Sequence, residues 1–172
     1  SCVKHVKFHM DAIPQTETVT EIRHKTIELV EFIHDVLKVK DFPWADFQHT
    51  VAIHNSCSSI RGLHIASRFE WQEPYFNKTE DLLKQVPGVK IETIDRPEEC
   101  CGFGGAFSVK FGEVSTRIVD RKCDSIASAD AQAVVGGDLG CLLTIEGRLR
   151  RRGDLTTQVL HVAEVLAGGG RS

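Results

Sequence analysis

The sequence predicts an α/β domain: a parallel sheet of about four strands with helices on both faces, a Rossmann-like half. Three observations carry this. Short apolar runs rich in β-branched residues recur as VAIHNSC (51–57), KIETID (90–95), AQAVVGGD (131–138) and the start of QVLHVAEVL (158–166). Segments with helical apolar periodicity stand between them. Strands that alternate with helices pair in parallel, because each crossover helix returns the chain to the same end of the sheet. The 172 residues suffice for one such domain with an extension.

In chain order, residues 18–38 predict a long N-terminal helix. Ile22, Thr26, Leu29, Val30, Ile33, Val36 and Leu37 share one face, and Thr18 with Glu21 fits a capping box. DFPWADF (41–47) reads as a loop around Pro43. A buried strand follows over 51–57, ending at Cys57, and then a helix near 59–69. Another helix near 78–85 is stopped by Pro87 and Gly88. The strand 90–95 leads into the loop RPEECCGFGGAF. Residues 113–129 form a helix with Val119, Cys123, Ile126 and Ala127 on one face. The third strand is followed by a helix over 141–151, with Cys141, Ile145 and Leu149 spaced i, i+4, i+8. The segment 158–166 begins as a fourth strand and ends as a helix. AGGGRS (167–172) reads as a flexible tail.

Composition narrows the function. The formal net charge is −3, and Lys and Arg are not concentrated as a nucleic-acid surface requires. No apolar run approaches the roughly 18–20 residues of a membrane span. SCVKHVKFHM lacks the apolar core of a signal peptide, so a cytoplasmic location is expected. In that reducing compartment the six cysteines are metal ligands, reactive thiols or core residues rather than disulfides.

The cysteines fall in a pattern. Cys57 ends the first predicted strand, Cys100 and Cys101 lie in the loop after the second, and Cys141 lies just past the third. Those places share the carboxyl edge of a parallel sheet, where open α/β folds bind ligands. Four convergent thiolates suit zinc or an iron–sulfur cluster. Adjacent cysteines cannot both reach one ion from an unstrained extended backbone, and the C-x2-C spacing of zinc sites is absent, which favours a cluster. Gly102, Gly104 and Gly105 permit positive φ and let backbone N–H groups approach sulfur. The same loop lacks the GxGxxG and GxxxxGK[ST] patterns of phosphate loops. A vicinal thiol pair working by disulfide exchange is the remaining alternative.

Cys123 is expected in the core. His54 and His161 lie near the same edge, with a hydrogen-bonded structural role expected and metal ligation the alternative. Arg148, Arg150, Arg151 and Arg152 read as a solvated helix end, with a docking surface for an acidic partner as the alternative. The RGD at 152–154 is taken as chance.

The stretches HNSC, ECCGFGGAFSVKFGEVS, VVGGDLGCLLTIEGRLRRRG and VLHVAEVL together resemble the lactate utilization protein A family. That family carries the cysteine-rich CCG domain, which also occurs in heterodisulfide reductase and in the iron–sulfur subunit of glycolate oxidase. The resemblance implies an iron–sulfur electron-transfer subunit of an L-lactate oxidation complex, part of an oxidoreductase rather than a complete enzyme. A glycolate oxidase-type subunit is the rival, and a zinc-binding structural module stands outside the class. The implied ligands are Cys57, Cys100, Cys101 and Cys141, and the implied partners are the other subunits of the complex. The first cysteine of the family's Cys-x-x-Cys falls on Asp138, which could supply an oxygen ligand. Four thiols fit a [4Fe–4S] cluster, or zinc in the isolated domain, better than the family's five-cysteine cluster. The resemblance also reads Ser1-Cys2 as the end of a preceding copy of the motif. Residues 1–48 then form a helical segment carried over from that copy, and residues 49–166 form the CCG domain.

Overall fold

A computed structural model describes residues 1–169; residues 170–172, the end of the expected tail, lie outside the described part. Four strands form one sheet: β1 (Thr50–His54), β2 (Lys90–Glu92), β3 (Ala133–Gly136) and β4 (Gln158–His161). The order is β2-β1-β3-β4 and every pairing is parallel. Val51 stands opposite Ala133, and His54 opposite Gly136. The α/β reading of the sequence therefore holds.

Residue parity along the strands divides the core in two. Val51, Ile53, Ala133, Val135 and Leu160 pack with Leu82, Leu83, Val162 and Val165 on one face. Those partners come from α5 (Lys78–Leu83) and α9 (Val162–Leu166). Val134 and Val159 pack on the other face with Val119, Cys123, Ile126, Ile145 and Leu149. These belong to α7 (Gly112–Ala127) and α8 (Leu139–Arg151). A side chain such as Leu83 or Ile145, buried to within 1% of completely, contributes about 1.5–3 kcal/mol. Strand residues apolar on both sides are what a two-layered sheet requires.

The long N-terminal helix is not formed. Its place is taken by α1 (Cys2–Phe8), α2 (Glu17–Lys25) and α3 (Leu29–Glu31), the last running into a π-helical turn over Phe32–Leu37. The break has a local cause. Thr26 turns to extended backbone, and its hydroxyl donates back to the Ile22 carbonyl at 2.7 Å. The Glu28 carboxylate then accepts from the backbone N–H groups of Val30 (2.7 Å) and Glu31 (3.2 Å), starting a new helix. Of the expected apolar face, Val30 and Ile33 reach the core, while Ile22, Leu29, Val36 and Leu37 stay exposed. The cap of α2 is Thr16, whose hydroxyl accepts from the Val19 N–H, and not Thr18.

Other boundaries shift by a few residues. The first strand stops at His54, because the Ser56 hydroxyl accepts from the Ser59 N–H and begins α4 (Cys57–Arg61). That helix ends at Gly62, and the chain to Asn77 is loop, with a short 3-10 turn at Phe69–Trp71. A short helix not foreseen, α6 (Ala106–Lys110), precedes α7. At the chain's end, the Ala167, Gly168 and Gly169 N–H groups close the last turn on Ala163, Val165 and Glu164.

Candidate metal centre

The sheet order makes the site. β1 sits between β2 and β3, so the path from β2 to β3 crosses over it, and loops leaving the carboxyl ends diverge there. Cys57 follows β1, Cys100 and Cys101 follow β2, and Cys141 lies in the first turn of α8 after β3. Three separate connections thus deliver thiols to one place, as their positions in sequence predicted.

The four form a continuous series. Cys57 shares a thiol hydrogen bond with Cys100, which holds the Cys57 pKa well above the usual thiol range. Cys101 shares one with Cys100, which favours its thiolate, and another with Cys141. The latter, with burial, pushes the Cys101 thiol up to about 12. Cys57 and Cys100 are exposed at the rim, whereas Cys101 and Cys141 are buried beneath them. Cys57 and Cys101 are therefore harder to ionise than ordinary thiols, and an incoming soft metal must displace their protons.

His54 joins the buried half. It has the parity of Ala52, opposite Val134 on the α7–α8 face. Its nearer ring nitrogen and the Sγ atoms of Cys101 and Cys141 lie within 4.8 Å of one another. Contrary to expectation, neither ring nitrogen has a hydrogen-bond partner among the described residues. Burial, reinforced by the nearby Lys122 ammonium, lowers its pKa to about 3, so the ring is neutral and one nitrogen carries a free lone pair. His161 behaves as the sequence predicts. It caps α9 by accepting from the Ala163 N–H at 3.1 Å, and its Nε2 lies 3.2 Å from the Gly137 carbonyl.

The glycine loop is built around Cys100. Gly102 has φ +82°, and its N–H donates to the Cys100 sulfur at 3.3 Å. A Cβ there would lie 2.7 Å from the Ser115 carbonyl oxygen, so only glycine lets the loop lie against α7. The Ser115 hydroxyl returns a 2.9 Å hydrogen bond to the Gly102 carbonyl. Gly104 and Gly105 also have positive φ, but nothing lies near a Cβ on Gly105.

Sequence reasoning missed the loop's anchor. Lys122 is fully buried, and its ammonium donates to the carbonyls of Arg96 (3.2 Å) and Pro97 (3.3 Å). Beside it the Ser125 hydroxyl donates to the Asp95 carbonyl. Arg96 itself is held at φ +51°. Burial lowers the lysine pKa, opposed by Glu99, Glu98 and the two adjacent cysteines. The signal was present: Lys122 falls at i+3 on the stripe Val119, Cys123, Ile126, where a lysine is out of place. Phe103 was also missed. Its ring closes on Gly140, where a Cβ would meet it at 2.4 Å.

Asp138 is engaged otherwise. Its Oδ1 accepts from the Gly140 N–H at 3.1 Å as the cap of α8, and its Oδ2 lies 2.8 Å from the Ser1 nitrogen. Cys123 is buried in the α7–α8 core. The C-terminal arginines of α8 are largely committed to ion pairs. Arg148 makes a bidentate pair with Asp120 at 2.6 and 2.8 Å, Arg150 pairs with Glu146, and Arg152 with Asp124. The Asp154 carboxylate of the RGD stretch accepts four hydrogen bonds from Thr156 and Thr157.

Soft sulfur donors from three loops, with an unpartnered buried imidazole among them, are a donor set for a thiophilic metal or cluster. Among the described residues no helix is long and apolar enough to cross a membrane. The family model of the cysteine-rich domain (CCG) matches residues 51–146. Lactate utilization protein A of a Geobacillus species is 41% identical over 142 residues, 83% of this chain and 55% of that protein. The protein of the same name in Bacillus pumilus is 42% identical over 152 residues, 88% of this chain and 58% of that protein. Lactate utilization protein A 2 of Bacillus cereus is 39% identical over 153 residues, 89% and 58% of the respective chains. The chain thus spans somewhat more than half the length of these relatives. With its cysteine pair, its glycine loop and the sheet edge that gathers them inside the matched span, the chain belongs to the cysteine-rich domain (CCG) family.

Proposed function

We propose that this chain holds an iron–sulfur cluster, a [4Fe–4S] centre, and serves as an electron-transfer part of a lactate-oxidising complex. The observation that carries the reading is the convergence of Cys57, Cys100, Cys101 and Cys141 at one sheet edge, two at the rim and two beneath it. When bound, such a cluster supplies one-electron transfer. The chain's own groups do the rest. The four thiolates hold the iron. The Gly102 N–H donates to a ligand sulfur, and the Lys122 cation offsets the negative charge of the site. Phe103 and the α7–α8 core keep water from the inner face. The exposed rim at Cys57 and Cys100 is the side from which electrons enter or leave. The lactate role draws support from the relatives' name, and the partners are the remaining components of that system.

Protein purified without oxygen tests this. About four irons and four sulfides per chain, with a broad visible absorbance bleached by dithionite, are expected. Lactate added together with the partner proteins should bleach the same absorbance. Bleaching by glycolate and not by lactate would reject the substrate. One zinc without sulfide would reject the cluster and favour the second reading, a structural zinc site. That reading has its own support, because the three buried donors are close enough together for a single ion.

A further inference from the structure

The structure assigns His54 as a nitrogen ligand of the metal centre, making its buried half a mixed histidine–cysteine corner. This deepens the cluster reading and rests on it for the identity of the metal.

Placement comes first. His54 is the last residue of β1, and the pleat turns it to the face that holds Cys101 and Cys141. Opposite it β3 has Gly136, which has no side chain to fill the space above that end of the sheet. A Cβ on Gly136 would come within 2.7 Å of the His54 carbonyl oxygen, so the strand end is drawn tight around the histidine.

Satisfaction comes second. Only 2% of His54 is exposed, yet among the described residues Nδ1 and Nε2 both lack a hydrogen-bond partner. A buried polar side chain without partners is rare in native proteins and calls for an explanation. No acceptor or donor among the described residues supplies one, whereas two thiols lie within 4.8 Å of the ligand nitrogen of His54. A neutral imidazole among thiolates is a good donor to zinc and to iron, and histidine replaces cysteine in some iron–sulfur centres.

Elimination comes third. By the family resemblance Asp138 stands where a fifth cysteine would, but its Oδ1 is in use as the cap of α8. His161 is spent on α9 and the Gly137 carbonyl. Among the described residues, His54 is the donor left facing the buried thiols. With the four thiolates His54 makes five donors, one more than the one-per-iron set of a regular [4Fe–4S] cube, so the centre has the donor count of the five-ligand form. A neutral nitrogen there leaves the site one negative charge poorer than a fifth thiolate would, which raises its reduction potential.

The test uses the chain carrying 15N-histidine, reconstituted with iron and sulfide without oxygen, reduced, and read by pulsed electron paramagnetic resonance. A directly bonded nitrogen coupling is expected. It should vanish in His54→Gln and in His54→Cys, with iron retained at least in the latter. The cysteine variant carries the test if the glutamine variant fails to fold. A loaded cluster showing no bonded histidine nitrogen, or one whose coupling survives both variants, would overturn the assignment and leave the cluster reading intact. If the wild-type chain takes up no iron or sulfide, the cluster reading fails. Cobalt(II) titration then decides His54: absorption bands that change in His54→Cys support the assignment, and identical spectra overturn it.

Discussion

Replacing Gly102 by alanine separates the geometric demand of the cysteine loop from ordinary glycine effects. At φ +82° an L-residue costs about 1–2 kcal/mol in backbone strain. The new Cβ would also sit 2.7 Å from the Ser115 carbonyl, a main-chain atom of α7 that cannot rotate away. Relieving that contact shifts the loop and weakens the 2.9 Å Ser115–Gly102 hydrogen bond, worth about 1 kcal/mol. The sum is about 3 kcal/mol, a fall in melting temperature of roughly 6–12 °C for a chain of this size. The loop shift also moves Cys100 and Cys101, so metal content should drop with stability. Gly105→Ala is the control: its φ is +60°, but nothing lies within 4 Å of the added atom. It should show only the backbone cost and load metal normally. Urea unfolding and metal analysis of the two variants measure the difference. Equal stability loss and equal metal content would refute the claim that contact with α7 sets the loop.

Other perturbations give equally definite outcomes. Lys122→Met removes the cation that ties Arg96 and Pro97 beneath the thiols, and should weaken metal retention roughly 10–100-fold in chelator competition. Unchanged retention would reduce Lys122 to a packing residue. Cys123→Ala removes a core thiol on the α7–α8 face and should cost about 1 kcal/mol in urea unfolding while leaving metal content unchanged. Loss of metal would make Cys123 part of the centre. Asp154 is held down at about 2: burial works against this, but hydrogen bonds from the Thr157 hydroxyl and the Thr156 and Thr157 N–H groups outweigh it. A depressed carboxylate contributes stability above its unfolded pKa of 3.8 and loses it as pH falls through about 2. Asp154→Ala should therefore cost about 1–2 kcal/mol at pH 7 and almost nothing near pH 2, as followed by denaturant unfolding across pH. A cost independent of pH would refute the assignment.

The sheet was legible because its strands are apolar on both faces and separated by helical periods, and parity alone sorts Val134 from Val135. The cysteines were legible for a topological reason: loops after parallel strands open at one edge, so thiols in three of them must meet. Local competition defeated the long helix, since nothing in the apolar stripe from Ile22 to Leu37 announces that Glu28 will cap a second helix. His54 could be placed near the edge, but its lack of hydrogen-bond partners depends on every neighbour at once and exists only in three dimensions. Lys122 was hidden by habit rather than by physics. A lysine inside an apolar stripe marks a buried cation that must find acceptors, and the strained loop at Arg96 supplies them.

Alkylation of the metal-loaded protein, followed by peptide mass spectrometry, tests the central claim most directly. Cys2, Cys57 and Cys100 are exposed in the metal-free fold and should react there, Cys57 more slowly because its thiol is harder to ionise. With metal bound and oxygen excluded, Cys57, Cys100, Cys101 and Cys141 should become protected together, while Cys2 stays reactive. Alkylation of Cys57 or Cys100 with the metal fully retained would contradict a single centre held by all four thiols.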